Sequence, residues 1–249
     1  MKGKTKMAKY SVVSYNEGDN ATTRVHLVAD ILKSCDPDIF GLQEVQLVHA
    51  PGYAVALGAY DYVYFDNDGT TFNSQPIYYK RDKFELLASG IKWISDTPNV
   101  RSKYPESDYT RSFTYAYLKD KATKEQFLVV NSHLDYVGAA NVKQVERIVE
   151  LTREMYPDTP IFYTADWNMT PSGAGYAKMV ELGCEPVENY IPDADLCGTC
   201  VGEGVTSTID FCFVDKKYWK GTAYKVVRDH RYSNSASDHY PLYVEIESI

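Results

Sequence analysis

Four short stretches of this sequence concentrate groups able to do acid–base and phosphoryl chemistry: Gln43-Glu44, Asn131-Ser132-His133-Leu134, Ala165-Asp166-Trp167-Asn168 and Ser237-Asp238-His239. Each lies beside an apolar, strand-like run, and His239 closes the chain just before its last short strand. Polar groups at four strand ends are costly to bury unless they pair with one another, a cation or a substrate. Together they read as one site, and its chemistry is phosphate-directed.

Asp166 and Asn168 lie two apart at a strand end, so both side chains can share one side of a sheet. A carboxylate there can orient a water or bind a cation, and a carboxamide can donate to a phosphoryl oxygen; an Asx turn leaving the strand reads equally well. Glu44 follows a fully apolar strand. Mg²⁺ takes oxygen ligands and needs only one or two carboxylates, a demand that Glu44 helped by Asn16 could meet; an N-cap or surface acid is the plainer role. Asp210 sits inside Thr208-Ile209-Asp210-Phe211-Cys212-Phe213, where an acid needs a charged partner, and the His239 imidazole is the natural one. Such a pair would resemble the orienting half of a catalytic triad. No Gly-x-Ser-x-Gly elbow accompanies it, which makes water the expected nucleophile. Arg111, opening a strand after a long loop, fits a phosphate clamp or an ordinary ion pair equally well.

These residues need elements to carry them. Tyr10–Tyr15 reads as a strand ending at Asn16, and Thr22–Lys33 as a helix with its stripe at Val25, Val28, Ala29 and Leu32. Asp36-Pro37-Asp38 breaks it before a buried strand over Ile39–Leu42. The pattern returns later: strand Phe127–Val130, helix Ala140–Met155 with Val142, Val145, Val149 and Thr152 on one face, a Pro157–Pro160 break, then strand Ile161–Thr164. Further strands are expected at Tyr62–Phe65, Ile77–Lys80, Phe84–Ser89, Phe113–Leu118, Thr208–Val214 and Leu242–Ile246. Three long loops stand out, 66–75, 95–110 and 185–206. The expectation is an α/β protein: a flexible basic arm over residues 1–9, then one domain over 10–249 in which two packed sheets carry helices outside.

The bulk numbers limit the partners. A net charge of −8 over 249 residues disfavours a general polyanion binder, so nucleic acid is a weaker expectation than a small or lipid-like phosphoester. Apolar content of 44% is ample for a core. Five scattered cysteines do not make a disulfide framework, and Cys197-Gly198-Thr199-Cys200 lacks the second ligand pair of a structural zinc site. No apolar run reaches transmembrane length, and no protein partner is indicated. As given, the chain reads as cytoplasmic, or as secreted if a leader has been removed. The 22 tyrosines, Tyr104 and Tyr109 among them, could stack bases or sugars, or follow from β propensity alone.

In order, Ser14-Tyr15-Asn16, Leu42-Gln43-Glu44, Asn131-Ser132-His133-Leu134-Asp135, Ala165-Asp166-Trp167-Asn168, Ile209-Asp210-Phe211 and Ser237-Asp238-His239-Tyr240-Pro241 resemble the endonuclease/exonuclease/phosphatase superfamily. The resemblance implies a four-layer α/β sandwich, two mainly antiparallel sheets flanked by helices, and divalent-metal phosphoester hydrolysis by in-line attack of water. It implies Mg²⁺, with Mn²⁺ as a substitute, on Glu44 with Asn16 and Asp238 nearby. Asp166 would orient or deprotonate the water, Asn168 and His133 would contact phosphoryl oxygens, Asp210 and His239 would form the acid–imidazole pair, and Arg111 would touch phosphate. Two departures stand out. The family commonly has Gly-Asp-Phe-Asn where this chain has Ala165-Asp166-Trp167-Asn168, and Gly18 stands where some abasic-site enzymes place an acid. A DNA or RNA nuclease is the alternative within the family; a non-catalytic binder on the same fold is the alternative outside it.

Overall fold

Alternation within the first strand sets the layering. In β1 (Lys9–Asn16) Tyr10 and Val12 turn toward a second sheet, while Val13 and Tyr15 turn toward helices. All four are buried, so the strand is covered on both faces. The computed structural model describes residues 7–18, 24–65, 74–196, 198–202, 205–228 and 236–249.

The first sheet has the order β13 (Trp219–Val226), β14 (Leu242–Ser248), β1, β2 (Ile39–Gln43), β4 (Ile77–Lys80) and β3 (Tyr60–Val63). The second has the order β5 (Phe84–Trp93), β6 (Ser112–Asp120), β7 (Gln126–His133), β8 (Ile161–Asp166), β12 (Asp210–Asp215) and β9 (Cys184–Pro186). A short hairpin, β10 (Cys200–Gly202) with β11 (Val205–Ser207), stands apart. Every pairing in the two large sheets is antiparallel except β1 with β2 and β7 with β8.

Each parallel pair needs a crossover, and each crossover is a helix: α1 (Val25–Cys35) in the first sheet and α3 (Gly138–Met155) in the second. The echo legible in the sequence is therefore a true structural repeat. α1 packs with α2 (Ala50–Ala56) on the outer face of the first sheet, burying Val28, Ala29, Ile31 and Leu32. α3 and α4 (Ala174–Glu181) cover the second sheet. Between the sheets lies an aromatic core of Tyr10, Phe84, Phe127, Phe162 and Trp219. Helix, sheet, sheet, helix is the four-layer α/β sandwich.

Several expectations need correction. The buried face of α3 runs through Ala140, Gln144, Val145, Ile148, Val149 and Thr152, leaving Val142 partly exposed. Ala8 is buried and Lys9 already pairs with Glu247, so the first strand opens at Lys9 rather than Tyr10; residues 1–6 lie outside the described residues. The 185–206 segment is not one loop, since β9, a 3-10 turn at Val187–Tyr190 and the β10–β11 hairpin fall within it. Most of the 66–75 loop, and Cys197, lie outside the described residues.

Candidate active site

Parallel pairing brings the C-terminal ends of two strands to one edge. Asn16 pairs with Gln43 at that edge of the first sheet, and His133 with Asp166 in the second. The antiparallel β12 begins at the same edge, with Asp210 opposite Asp166. His133, Asp166 and Asp210 thus form one row across three adjacent strands, and in-register neighbours point to the same face. His239 precedes β14 by only two residues and enters from the facing sheet.

The row is tightly connected. The His239 Nδ1–H donates to Asp210 Oδ2 at 2.8 Å, and His239 Nε2 lies 3.8 Å from Asp166 Oδ2. Asn16 Nδ2 donates to Asp166 Oδ2 at 2.9 Å and to Glu44 Oε1 at 3.2 Å, joining the two sheets. Asn168 Nδ2 donates to the Leu134 carbonyl at 2.9 Å and to His133 Nε2 at 3.0 Å. An Nε2 that accepts is unprotonated, so a neutral His133 carries its proton on Nδ1, 3.8 Å from Glu44 Oε1. Asp166 Oδ1 accepts the Asn168 amide at 3.0 Å, closing an Asx turn. The turn and the site geometry anticipated for Asp166 and Asn168 therefore coexist.

Burial separates the proton affinities of these groups. It pushes the Asp166 carboxyl up, and the nearby Asp210 charge adds to this against the opposing effect of His239. Burial also raises Glu44. It holds His133 well below the ordinary imidazole value, reinforced by the charges of Arg111 and His239. For His239, burial opposes the charged form, yet the Asp210 carboxylate and its hydrogen bond outweigh it and raise the imidazole well above its usual value. The site therefore holds a neutral and a charged histidine on either side of a carboxylate with enhanced proton affinity.

His133, Asp166 and His239 line a cleft of about 420 Å³ together with Glu44, Tyr109, Arg111, Tyr136, Asn168, Cys200 and Ile209. Arg111 is buried, its guanidinium stacked 4.9 Å from the Tyr109 ring centre. Its Nε, His133 Nδ1 and Asp210 Oδ1 are buried without a hydrogen-bond partner among the described residues, the pattern expected of groups awaiting a polar ligand. Glu44 and Asn168 hold left-handed backbone at φ 62° and 49°. Asparagine tolerates that region, whereas for glutamate it is strain of the kind that gathers at functional sites.

Two expected metal ligands stand differently from the sequence reading. Asn16 presents its Nδ2 to the carboxylates while its Oδ1 accepts the Gly18 amide at 2.9 Å, which leaves that oxygen one lone pair. Asp238 is exposed and does not line the cleft; its Oδ1 lies beside Gly18 and Ser237. Glu44 is partly open to the cleft and supplies the hard oxygen donor that a divalent ion requires. Donor atoms of Asp166, Asp210 and His239 also lie within 4.8 Å of one another. There, however, the Asp210–His239 bond and the imidazolium charge oppose a cation, which leaves Glu44 as the acid most open to one.

The supporting residues were not assigned from sequence. Thr199 Oγ1 accepts the amides of Ile209 and Asp210, both at 3.1 Å, and so fixes the start of β12. Ser237 Oγ donates to the Asn16 carbonyl at 2.7 Å and accepts the His239 amide at 3.0 Å, tying the last loop to β1. Asn131 Oδ1 accepts Gln43 Nε2 at 2.7 Å across the sheets, while its Nδ2 donates to the Leu42 and Pro76 carbonyls. Gly41 permits that approach, because a Cβ there would meet Asn131 at 2.5 Å. The one available signal was that Asn131 and Ser237 fall inside the motif blocks.

Relatives point the same way. The chain is 27% identical to an endonuclease/exonuclease/phosphatase family protein of Bacteroides thetaiotaomicron, covering 97% of this chain and 98% of that one at a TM-score of 0.85. It is also 27% identical to the mannosyl-6-phosphatase of Bacteroides thetaiotaomicron VPI-5482, covering 95% and 98% at a TM-score of 0.81. Among curated proteins, Protein angel of Drosophila melanogaster is 28% identical over 74% of this chain, and the match spans 53% of that protein. The chain thus spans little more than half the length of the curated relatives it matches. Residues 13–239, which run from the first site strand to the last site histidine, match the Endonuclease/Exonuclease/phosphatase family, and the chain belongs to that family.

Proposed function

We propose that this protein is a Mg²⁺-dependent phosphoesterase that hydrolyses a small phosphoester by in-line attack of water. The observation carrying this reading is the row His133–Asp166–Asp210, completed by His239 and facing Glu44 and Arg111 in one cleft. Asp166, with its raised proton affinity, orients the attacking water and takes its proton. Arg111, the His239 imidazolium and the Nδ1–H of His133 face the phosphoryl oxygens and offset the charge that develops there, while Asn168 fixes the His133 tautomer by donating to its Nε2. Asp210 keeps His239 protonated and fixes its ring. Glu44 would hold the divalent ion, which supplies charge neutralisation at the phosphoryl group when bound. Asn16 aligns both carboxylates through its Nδ2.

A small substrate agrees with a cleft of about 420 Å³, with the net charge of −8, and with the likeness to a mannosyl-6-phosphatase over nearly the whole chain. The test is hydrolysis of a panel of sugar phosphates, glycerol phosphate, bis-nitrophenyl phosphate, an RNA oligonucleotide and supercoiled DNA, each with Mg²⁺ and with EDTA. Turnover of small esters should vanish with EDTA and fall by about 10²-fold or more in folded Asp166→Ala and His239→Ala. Near-normal turnover in either variant would show the roles to be wrong.

A further inference from the structure

Two tyrosines at the cleft mouth take no part in the chemistry above, yet they are held with care. Tyr109 is 47% exposed and Tyr136 57% exposed, and both line the same cleft as Arg111. Their ring centres lie 5.9 Å apart at 66°, an aromatic corner rather than a packed pair. Asp135, fully buried, accepts the Tyr109 amide on Oδ2 at 2.9 Å and the Val137 amide on Oδ1 at 3.1 Å. One carboxylate thus fixes both stretches of chain that carry the rings. The Asp135 amide in turn donates to Gln144 Oε1 on α3 at 2.8 Å. The Tyr136 hydroxyl donates to Asp108 Oδ2 at 2.6 Å, and Asp108 is exposed beside it. The corner is therefore preorganised, which lowers the ordering cost of binding against it.

We infer that Tyr109, Tyr136 and Asp108 form a subsite for a polyhydroxylated ring, making the substrate a sugar phosphate whose phosphate reaches Arg111. The inference rests on the phosphoesterase reading above and adds the chemistry of the leaving alcohol. Exposed tyrosine rings offer flat apolar faces for the C–H face of a sugar. A carboxylate beside them is an acceptor-only group, suited to neighbouring hydroxyls. That same carboxylate repels a polyanion, which disfavours a nucleic-acid strand on the aromatic corner. A few polar groups converging on an apolar wall is the usual anatomy of a small-ligand site.

The test compares glucose and mannose 6-phosphate with the ringless glycerol 3-phosphate and with adenosine 5′-monophosphate. In the wild type, kcat/KM should favour a hexose phosphate over glycerol 3-phosphate by about 10-fold or more. Tyr136→Ala and Asp108→Asn should each reduce that ratio by about 10-fold, and Tyr136→Phe, which keeps the ring, should retain more of it than Tyr136→Ala. A ratio unchanged in these variants, or a wild-type preference for the nucleotide, would overturn the subsite. A second arm needs no turnover: calorimetric titration of glucose 6-phosphate, mannose 6-phosphate and glycerol 3-phosphate into Asp166→Asn, alone and combined with Tyr136→Ala. Tighter binding of at least one hexose phosphate that is lost in the double variant supports the subsite even if the wild type cuts nothing on the panel, in which case only the catalytic reading fails. Equal affinity for ringed and ringless esters overturns the subsite even if hydrolysis is fast.

Discussion

A histidine and an aspartate 2.8 Å apart and almost fully buried are a single electrostatic unit. Burial alone would discharge His239; Asp210 reverses the sign and holds the imidazolium where a phosphoryl group would sit. Asp210 has no other route to the cleft, since it is fully buried and its backbone is pinned by Thr199. It is a positioning residue in this scheme. Asp210→Asn keeps the shape and the Thr199 contacts while removing the charge. We expect kcat to fall by about 10²- to 10⁴-fold with a smaller change in KM, as for other imidazoles deprived of their carboxylate. The His239 proton should come off at lower pH, followed by NMR of the ring C–H signals. A variant with normal kcat and an unmoved titration would remove Asp210 from the mechanism.

At the scale of elements, the 3-10 turn at Val187–Tyr190 carries a buried acid, away from the cleft, whose chemistry is structural. Glu188 Oε1 accepts the Tyr176 hydroxyl at 3.1 Å, Oε2 has no partner among the described residues, and burial pushes the carboxyl up to about 7. A raised folded-state value means that the native state binds the proton more tightly than the unfolded chain. Its stabilising contribution is complete below the unfolded value near 4.5 and is lost as pH rises to about 7. The loss is on the order of 3 kcal/mol. Glu188→Gln should remove this dependence, so variant minus wild-type stability should climb across that window and level off by pH 8. Denaturant melts of both proteins at several pH values give the answer; a constant difference would refute it. Neither this turn nor β13 was legible in the sequence. β13 mixes Gly221, Ala223 and two lysines with its apolar residues and carries a bulge between Gly221 and Ala223, so period-2 alternation fails. The strand–helix–strand repeat was legible because each unit pairs clean apolar runs with a Pro-Asp break. The candidates Asn16, His133, Asp166 and Asp210 could be picked out because each ends or begins a strand. Their supports were not: Ser237 reaches Asn16 across 221 positions, and only the folded chain reveals such a partner.

The whole molecule joins two opposing electrostatic demands. It carries a net charge of −8, while its cleft sets the Arg111 and His239 cations against the Glu44 and Asp166 carboxylates. A long polyanion would have to approach an acidic surface, whereas a single phosphate need only enter the cleft, where the cations are buried and shielded from salt. The size of the substrate therefore dictates its salt dependence. A strand held through six to ten phosphate contacts would lose about 10³- to 10⁵-fold in affinity between about 50 and 200 mM salt. A sugar phosphate neutralised inside the cleft should lose less than about 3-fold in kcat/KM over the same range, because no extended counterion atmosphere is released. Measuring kcat/KM for the best small ester and for an oligonucleotide at several salt concentrations, with Mg²⁺ constant, separates the two. A steep log–log slope for the preferred substrate would mean that the protein reads a polymer through contacts outside the cleft. A shallow slope places recognition where the buried charges are.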